Sequence, residues 1–153
     1  MVTLHIIFTQ EHLRQLDYYI YRLQTGSPSE RVLACAHLGS LGGPRAIAAL
    51  SHAAIYDPWA RAREAALEAL GTIGSSTGMT AAIQALQQDV DHDVREQAAQ
   101  TLGIIGDVQA NAALTVASRF DPDTDVRWAA QVALQRIAAR AYELSHPIYG
   151  YGW

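Results

Sequence analysis

The chain has 153 residues, of which 50% are hydrophobic and 17% are charged, which suits one globular domain with its own core. The formal net charge is −4 and no Lys/Arg cluster occurs, which argues against nucleic-acid binding. A single cysteine, Cys35, excludes an internal disulfide framework and a multi-cysteine metal site. The N-terminal residues do not read as a signal peptide, and no apolar stretch reaches the ~20 residues of a membrane span, so we expect a cytoplasmic protein without membrane contact.

The N-terminal block, residues 1–26, is predicted to be a capping helix. Within residues 10–24, apolar side chains recur on one side of an amphipathic helix: Leu13, Leu16, Ile20 and Leu23. Such a face needs a neighbour, and we expect it to cover the first unit of the block that follows.

A period of 32 residues runs through residues 27–138, which we interpret as four repeats. The pattern Leu-Gly-x-(Ile/Leu)-Gly occurs at 38–42, 70–74 and 102–106, and a degraded copy follows at 134–138. Two more sets of identical residues recur at the same 32-residue spacing, and each set is called a column. The arginine column is Arg31, Arg63, Arg95 and Arg127, and the alanine column is Ala34, Ala66, Ala98 and Ala130. Three columns that share one period predict an all-α fold, an α-solenoid of stacked helical hairpins.

The first helix of each repeat has recognisable start and stop signals. Ser27-Pro28 and Asp121-Pro122 place a capping residue before a proline, as at the start of a helix. The last glycine of each repeated pattern, such as Gly74, is expected to end that helix in a left-handed conformation.

A second apolar stretch follows each glycine, at residues 44–55, 79–88 and 108–120. We predict a second helix in each, anchored by Leu50, Ile83 and Leu114. Because these anchors are 33 and 31 residues apart, we expect the turn at residues 75–78 to hold one extra residue.

The C-terminal block, residues 139–153, is interpreted as an aromatic tail. Residues 142–153 combine Pro147 and two glycines with three tyrosines and a tryptophan. We predict that this segment is not helical, because proline and glycine end helices.

Two local patterns imitate functional sites. Residues 74–78 fit G-x-S-x-G, but a nucleophile elbow needs a preceding strand and here a helix is predicted. Residues 121–125 resemble the start of a calcium loop, yet Val126 and Val132 stand where the loop needs Gly and Glu. No two histidines have metal-ligand spacing on one helix, so we predict neither catalytic residues nor metal ligands.

The arginine column is interpreted as structural. Asp57, Asp89 and Asp121 lie six residues before the last three arginines of the column. Stacked repeats would let each guanidinium fork bind carboxylates and loop carbonyls together, so we expect an Asp–Arg ladder built on Arg31, Arg63, Arg95 and Arg127.

The repeats resemble a known family through two patterns. Asp91–Arg95 and Asp123–Arg127 carry D-x-x-V-R at the start of the first helix, and L-G-x-(I/L)-G closes it. Together they resemble HEAT-like repeats of the phycobilisome lyase type over residues 27–138. The resemblance implies a scaffold, a lyase subunit or a phycobilisome-degradation factor. It does not imply the metal-dependent hydroxylase activity of other HEAT proteins, which use His-Glu dipeptides, because this sequence has none.

Partner-binding residues are predicted on two grounds. The resemblance implies that the second helices line the concave side, where polar and mostly uncharged side chains could contact a partner: His52, Gln84 and Gln87. Exposed aromatic residues could anchor a partner at helix ends and on the face opposite the core: Tyr56, Trp59 and Trp128.

These observations favour a scaffold or adaptor that binds another protein, possible as a hetero- or homo-oligomer. The partner expected from the resemblance is a phycobiliprotein or another photosynthetic protein. The alternative is a subunit of a bilin lyase or a phycobilisome-degradation factor, and bilin would be a ligand only in the lyase case. Otherwise no cofactor is predicted, and we lean against an enzyme.

Overall fold

The computed structural model describes the backbone of residues 2–146 and the side chains of residues 9–146. These residues form eight α-helices and no strand: α1 (Val2–Thr25), α2 (Pro28–Leu41), α3 (Gly43–Tyr56), α4 (Ala60–Ile73), α5 (Met79–Gln88), α6 (His92–Ile105), α7 (Asn111–Phe120) and α8 (Thr124–Ser145). Short 3₁₀ turns at Ser76–Gly78 and Val108–Ala110 precede α5 and α7. The predicted all-α solenoid is confirmed.

The helices stack in two layers. The first helices of the repeats (α2, α4, α6 and α8) are neighbours in one layer, and the second layer contains α1, α3, α5 and α7. Three hairpins are complete, whereas the fourth repeat contributes only its first helix, α8, within residues 2–146. The described part of the solenoid therefore begins with a lone second-layer helix and ends with a lone first-layer helix.

The core lies between the layers and repeats with the sequence. Leu38, Leu70 and Leu102 are buried in successive repeats, and so are all four alanines of the alanine column. Small residues let the first helices approach closely, because a Cβ placed on Gly103 would lie 2.9 Å from the Cα of Ala133. Layer-to-layer packing is thus fixed by leucines, and packing within the first layer by small side chains.

Helix ends follow the expected chemistry. The side chains of Asp91 and Asp123 accept backbone N–H groups in the first turns of α6 and α8, which satisfies donors that a helix leaves unpaired. Gly74 and Gly106 end α4 and α6 in the left-handed conformation, with φ of 68° and 73°.

One predicted register is wrong. Helices α5 and α7 begin 32 residues apart, at Met79 and Asn111, so the turn before α5 has no extra residue. The counterpart of Leu50 and Leu114 is Ala82 and not Ile83, and all three counterparts are fully buried. The position is therefore buried in all three second helices, although α5 fills it with a small side chain. Side-chain size misled the sequence reading, whereas the period did not change.

The non-helical tail was predicted to begin at residue 142, but the helix continues beyond that residue. Helix α8 continues to Ser145, so residues 142–145 are helical. Nothing in these residues breaks a helix, and the chain leaves the helical conformation only at His146, the residue before Pro147, where α geometry is disfavoured. Residues 147–153 of the predicted tail lie outside the described part of the chain.

Candidate functional site

No catalytic constellation forms among the described residues. Over residues 9–146, no group of three or more His, Cys, Asp or Glu side chains is placed to hold a metal ion. Cys35 is fully buried, and burial raises the pKa of its thiol to about 12, which disfavours the reactive thiolate. Ser75 caps the 3₁₀ turn by accepting the N–H of Thr77, so the G-x-S-x-G segment serves as a turn. Within the described range, no helix is long and apolar enough to cross a membrane.

The arginine column pairs with the loop aspartates as a ladder. Nε and Nη2 of Arg63 donate to the two carboxylate oxygens of Asp89 at 2.7 and 2.8 Å, and Nη1 donates to the Asp57 carbonyl at 2.9 Å. The Arg31–Asp57 and Arg95–Asp121 pairs repeat this geometry. We call these three pairs the Arg–Asp ladder. Each arginine reaches forward to the aspartate 26 residues later.

The ladder is mostly buried and holds its own loops. Side-chain exposure is 11% for Arg63 and 7% for Asp89, and the other two pairs are similar. Hydrogen bonding to Asp89 raises the pKa of Arg63, the largest effect on that group. Asp89 also accepts the backbone N–H of Asp91 at 3.0 Å. Each aspartate therefore shapes a loop and joins it to the preceding repeat.

The fourth arginine, Arg127, is placed differently. Its Nη1 donates to the carbonyls of Asp121 and Pro122 at 2.7 and 3.0 Å, and Nη2 donates to the Thr124 hydroxyl at 3.0 Å. Among the side chains of residues 9–146, no carboxylate pairs with it. Within the described residues, Arg127 therefore keeps the carbonyl contacts of a ladder unit but has no carboxylate partner.

A second feature is a series of grooves between neighbouring helices of the second layer. The α1/α3 groove has a volume of about 350 Å³, the α3/α5 groove about 370 Å³ and the α5/α7 groove about 520 Å³. Each groove is bounded by one ladder arginine: Arg31, Arg63 and Arg95 in that order. We call the three grooves together the groove row.

Exposed apolar side chains line the groove row. Val90 is 93% exposed and lines both the α3/α5 and the α5/α7 groove. Phe120 and Val116, exposed by 75% and 57%, line the α5/α7 groove, while Tyr56 at 63% lines the two earlier ones. The polar side chains beside them are mainly uncharged amides, such as Gln84 and Gln87, and the ladder charges that border the grooves are paired with each other. The surface is therefore apolar and close to neutral.

The structure divides the six predicted partner-binding residues into two groups. His52, Tyr56, Gln84 and Gln87 line successive grooves of the row, and the rings of His52 and Tyr56 lie 4.9 Å apart.

The two tryptophans line none of these grooves. Trp59 is 40% exposed and occupies the N-cap of α4, where its backbone N–H donates to the carboxylate of Asp57. Trp128 is 62% exposed on α8, in the layer of first helices. The six residues thus do not form one surface.

Val90, Val116 and Phe120 were missed by the sequence reading. Phe120 is the last residue of α7 and stands two periods after Tyr56, the last residue of α3. The recurrence of an aromatic residue at the end of a second helix could have identified Phe120 from the sequence. Val90 had no such signal, because its exposure depends on the loop that the ladder holds in place.

The comparisons agree with this architecture. The model of HEAT repeats matches residues 16–88 and 53–135, which together cover most of the chain. Comparison with curated proteins found no match. Among solved structures, human deoxyhypusine hydroxylase is similar with a TM-score of 0.80 and 27% identity, over 95% of this chain and 51% of that one. The CpcE–CpcF complex of phycocyanin lyase from Nostoc sp. is similar with a TM-score of 0.66 and 26% identity, over 88% of this chain and 59% of that one.

The chain thus spans between half and three fifths of the two solved proteins that it resembles. The similarity to the lyase complex is in keeping with the lyase-type HEAT-like repeats predicted from D-x-x-V-R and L-G-x-(I/L)-G. With most of its length matched by the HEAT-repeat model, and with three stacked hairpins that carry one pattern, the chain belongs to the family of HEAT-repeat proteins.

Proposed function

We propose that this chain is a scaffold or adaptor that binds another protein through the groove row. The observation that carries the proposal is the set of exposed Tyr56, Val90 and Phe120 side chains beside adjacent grooves. Aromatic side chains in pockets with a polar surround are typical of protein–protein contacts.

Energetics favour an apolar contact at this surface. Covering a largely exposed phenylalanine such as Phe120 contributes about 2 kcal/mol, and Val90 and Tyr56 add to it. The ladder charges beside the grooves are already satisfied, so little favourable charge remains for a phosphate polymer. A protein surface with apolar side chains fits these grooves better than a nucleic acid does.

The finer proposal is that the partner is a phycobiliprotein or another photosynthetic protein. Its support is the similarity to a chain in the structure of the complex of CpcE and CpcF of phycocyanin lyase. The same similarity supports the alternative, a bilin-lyase subunit or phycobilisome-degradation factor. The similarity to deoxyhypusine hydroxylase is not extended to activity, because this sequence has no His-Glu dipeptide.

Variants of the groove row test the scaffold proposal. Val90→Ser and Phe120→Ser remove the two most exposed apolar groups of the α5/α7 groove, and Leu144→Ser is the matched control. Leu144 is 77% exposed on α8 and lines none of the described grooves. Proteins co-purified from the native extract should be identified by mass spectrometry for each variant.

We expect a reproducible partner to be retained by the wild type and by Leu144→Ser, and to be lost with both groove variants. Retention by all variants would exclude the groove row as the docking surface. A fourth variant, Trp128→Ala, tests the other layer. If the partner is lost only with this variant, the contact lies on the layer of first helices.

Spectroscopy separates the lyase alternative from a simple scaffold. The chain is mixed with bilin and an apo-phycobiliprotein, with and without a candidate second subunit. A shifted visible band or a covalent adduct that requires this chain supports the lyase alternative. If neither appears, the scaffold proposal stands alone.

A further inference from the structure

The last turns of the second-layer helices alternate between an amide and an aromatic side chain. One period separates successive members of this series in α1, α3, α5 and α7: Gln24, Tyr56, Gln88 and Phe120. Each groove of the row is therefore lined by one of these glutamines and one of these aromatic residues. All four side chains are exposed, and no described residue hydrogen-bonds to either amide. The row thus repeats one polar and aromatic pair.

We propose that the groove row binds a segment of the partner protein in the polyproline II conformation, with an apolar side chain at every third residue. This inference rests on the proposed function and deepens it, because it names the kind of segment that the same surface takes. The segment runs across the second-layer helices and its apolar side chains enter successive grooves. Its backbone hydrogen-bonds to the amides of Gln24 and Gln88.

The spacing of the grooves selects this conformation over a β-strand. Packed helices lie about 8–10 Å apart, so neighbouring grooves of the row are separated by about the same distance. A polyproline II chain has three residues per turn and rises about 3.1 Å per residue, so it returns to the same face every ~9.3 Å. A β-strand returns to the same face every second residue, at about 6.7 Å, and does not match the row.

Hydrogen bonding separates the polyproline II segment from an α-helix. Residues one heptad apart in a helix lie about 10.5 Å apart, so spacing alone does not exclude a helix. A helix pairs its own backbone N–H and C=O groups, whereas a polyproline II chain leaves them free. The amides of Gln24 and Gln88 need such free groups, because each offers two donors and one acceptor. Aromatic side chains beside the grooves favour the same ligand, since polyproline II segments dock in aromatic-lined grooves.

Charge complementarity restricts the segment further. Helices α3, α5 and α7 contain no Asp or Glu, and their arginines are Arg45, which pairs with Asp17, and Arg119. Arg119 is exposed one turn after Val116 and has no partner among the described side chains. The ladder carboxylates that border the grooves are held by arginines. A basic side chain of the partner would find no free carboxylate along the row, so the segment carries acidic residues beside its apolar ones.

Residues 147–153 are not that segment. Helix α8 begins after the loop that follows Phe120 and runs for 22 residues, so its end lies about 33 Å from this loop. Residues 147–153 extend over at most about 25 Å. They do not reach back to Phe120, and the described part of the chain leaves the row open to another protein.

Synthetic peptides test the segment through the nuclear magnetic resonance signals of the glutamine side-chain amides. The probe repeats Leu-Pro-Ser about three times after an aspartate, which places a leucine at every third residue. A matched peptide of the same composition brings the leucines together, and a helix-forming peptide with leucines one heptad apart represents the helical ligand. A fourth peptide carries lysine in place of the aspartate.

Two protein variants complete the design. Gln88→Met removes one proposed amide contact at an exposed position, and Gln135→Met, exposed on α8 in the other layer, is its matched control. We expect the spaced peptide to shift the amide signals of Gln24 and Gln88 in a saturable manner, with the other three peptides much weaker. Gln88→Met should weaken binding of the spaced peptide about fivefold, the effect of one ordinary hydrogen bond. Gln135→Met should leave binding unchanged, and both variants should keep the circular-dichroism spectrum.

The proposal is overturned if the clustered, helical or lysine peptide binds as tightly as the spaced one, if no peptide shifts these signals, or if Gln88→Met has no effect. Self-association of the chain that is lost with Phe120→Ser also overturns it, because the occupant of the row is then a second copy. Co-purification with Val90→Ser and Phe120→Ser tests the proposed function separately. A partner that is lost with both of these variants but retained by Gln88→Met leaves the scaffold proposal standing and removes only the polyproline II segment.

Discussion

Alanine at Gly103 should destabilise the protein, whereas alanine at Gly71, its counterpart one repeat earlier, should stabilise it. A Cβ on Gly103 would lie 2.9 Å from both Cα and Cβ of Ala133, so the backbones of α6 and α8 would have to separate. A Cβ on Gly71 meets side-chain atoms of Ile104 and Thr101 no closer than 3.6 Å, which is ordinary contact. Thr101 is the larger residue in the place of Ala133, and its hydroxyl donates to the Leu67 carbonyl at 2.9 Å. It therefore spaces α6 from α4.

The magnitudes follow from two opposing effects. Replacing glycine by alanine inside a helix contributes about 1 kcal/mol of stability through backbone entropy. Overpacking costs about 1–3 kcal/mol when backbone must move. Gly71→Ala should therefore gain about 1 kcal/mol in free energy of unfolding, and Gly103→Ala should lose up to about 2 kcal/mol.

Urea unfolding followed by circular dichroism measures both variants. The unfolding midpoint should rise for Gly71→Ala and fall for Gly103→Ala, with melting temperatures that move by about 2–4 °C per kcal/mol. Shifts of the same sign and similar size in both variants would refute the reasoning, because the difference in facing residue would then not matter.

Three further results are expected. Asp89→Ala leaves the guanidinium of Arg63 buried without its carboxylate and should lower the free energy of unfolding by about 3 kcal/mol. Glu64→Ala, in a pair with exposed Arg61, should change it by less than ~0.5 kcal/mol, and urea unfolding measures both. Hydrogen bonds from Val126 and then Asp125 lower the pKa of Asp123 from 3.8, so its stabilisation is present above that pH and is lost as pH falls through the lowered value. Asp123→Asn should flatten this part of the acid-unfolding curve, and an unchanged curve would contradict it. Cys35, with a thiol pKa of about 12, should react with a thiol reagent only after unfolding, and rapid labelling of the native protein would contradict its burial.

The first helices were predictable because their signals are redundant. Leucine, alanine, arginine and glycine columns share one period, so a mistake in one column is corrected by the others. Second helices carry fewer columns, and there the anchor was assigned to the larger Ile83 in place of Ala82. A small residue such as Ala82 can hold a fully buried position, which side-chain size alone does not reveal.

The candidate surface was less accessible to sequence reasoning. Tyr56 and the glutamines could be assigned to second helices, but the exposure of Val90 depends on the three-dimensional path of a loop. The partners of Arg31, Arg63 and Arg95 were predictable because pairing follows from the repeat. The different contacts of Arg127, which donates to two loop carbonyls and the Thr124 hydroxyl, were not.

The Arg–Asp ladder also has a consequence for how the chain unfolds. The carboxylate of Asp89 belongs to one arginine, while its carbonyl belongs to the next, Arg95, so each loop satisfies polar groups of two adjacent repeats. A repeat that frays alone leaves a largely buried cation of its neighbour unsatisfied, which penalises partly unfolded arrays. The ladder thus couples neighbouring units thermodynamically and favours cooperative melting over the stepwise loss of single hairpins.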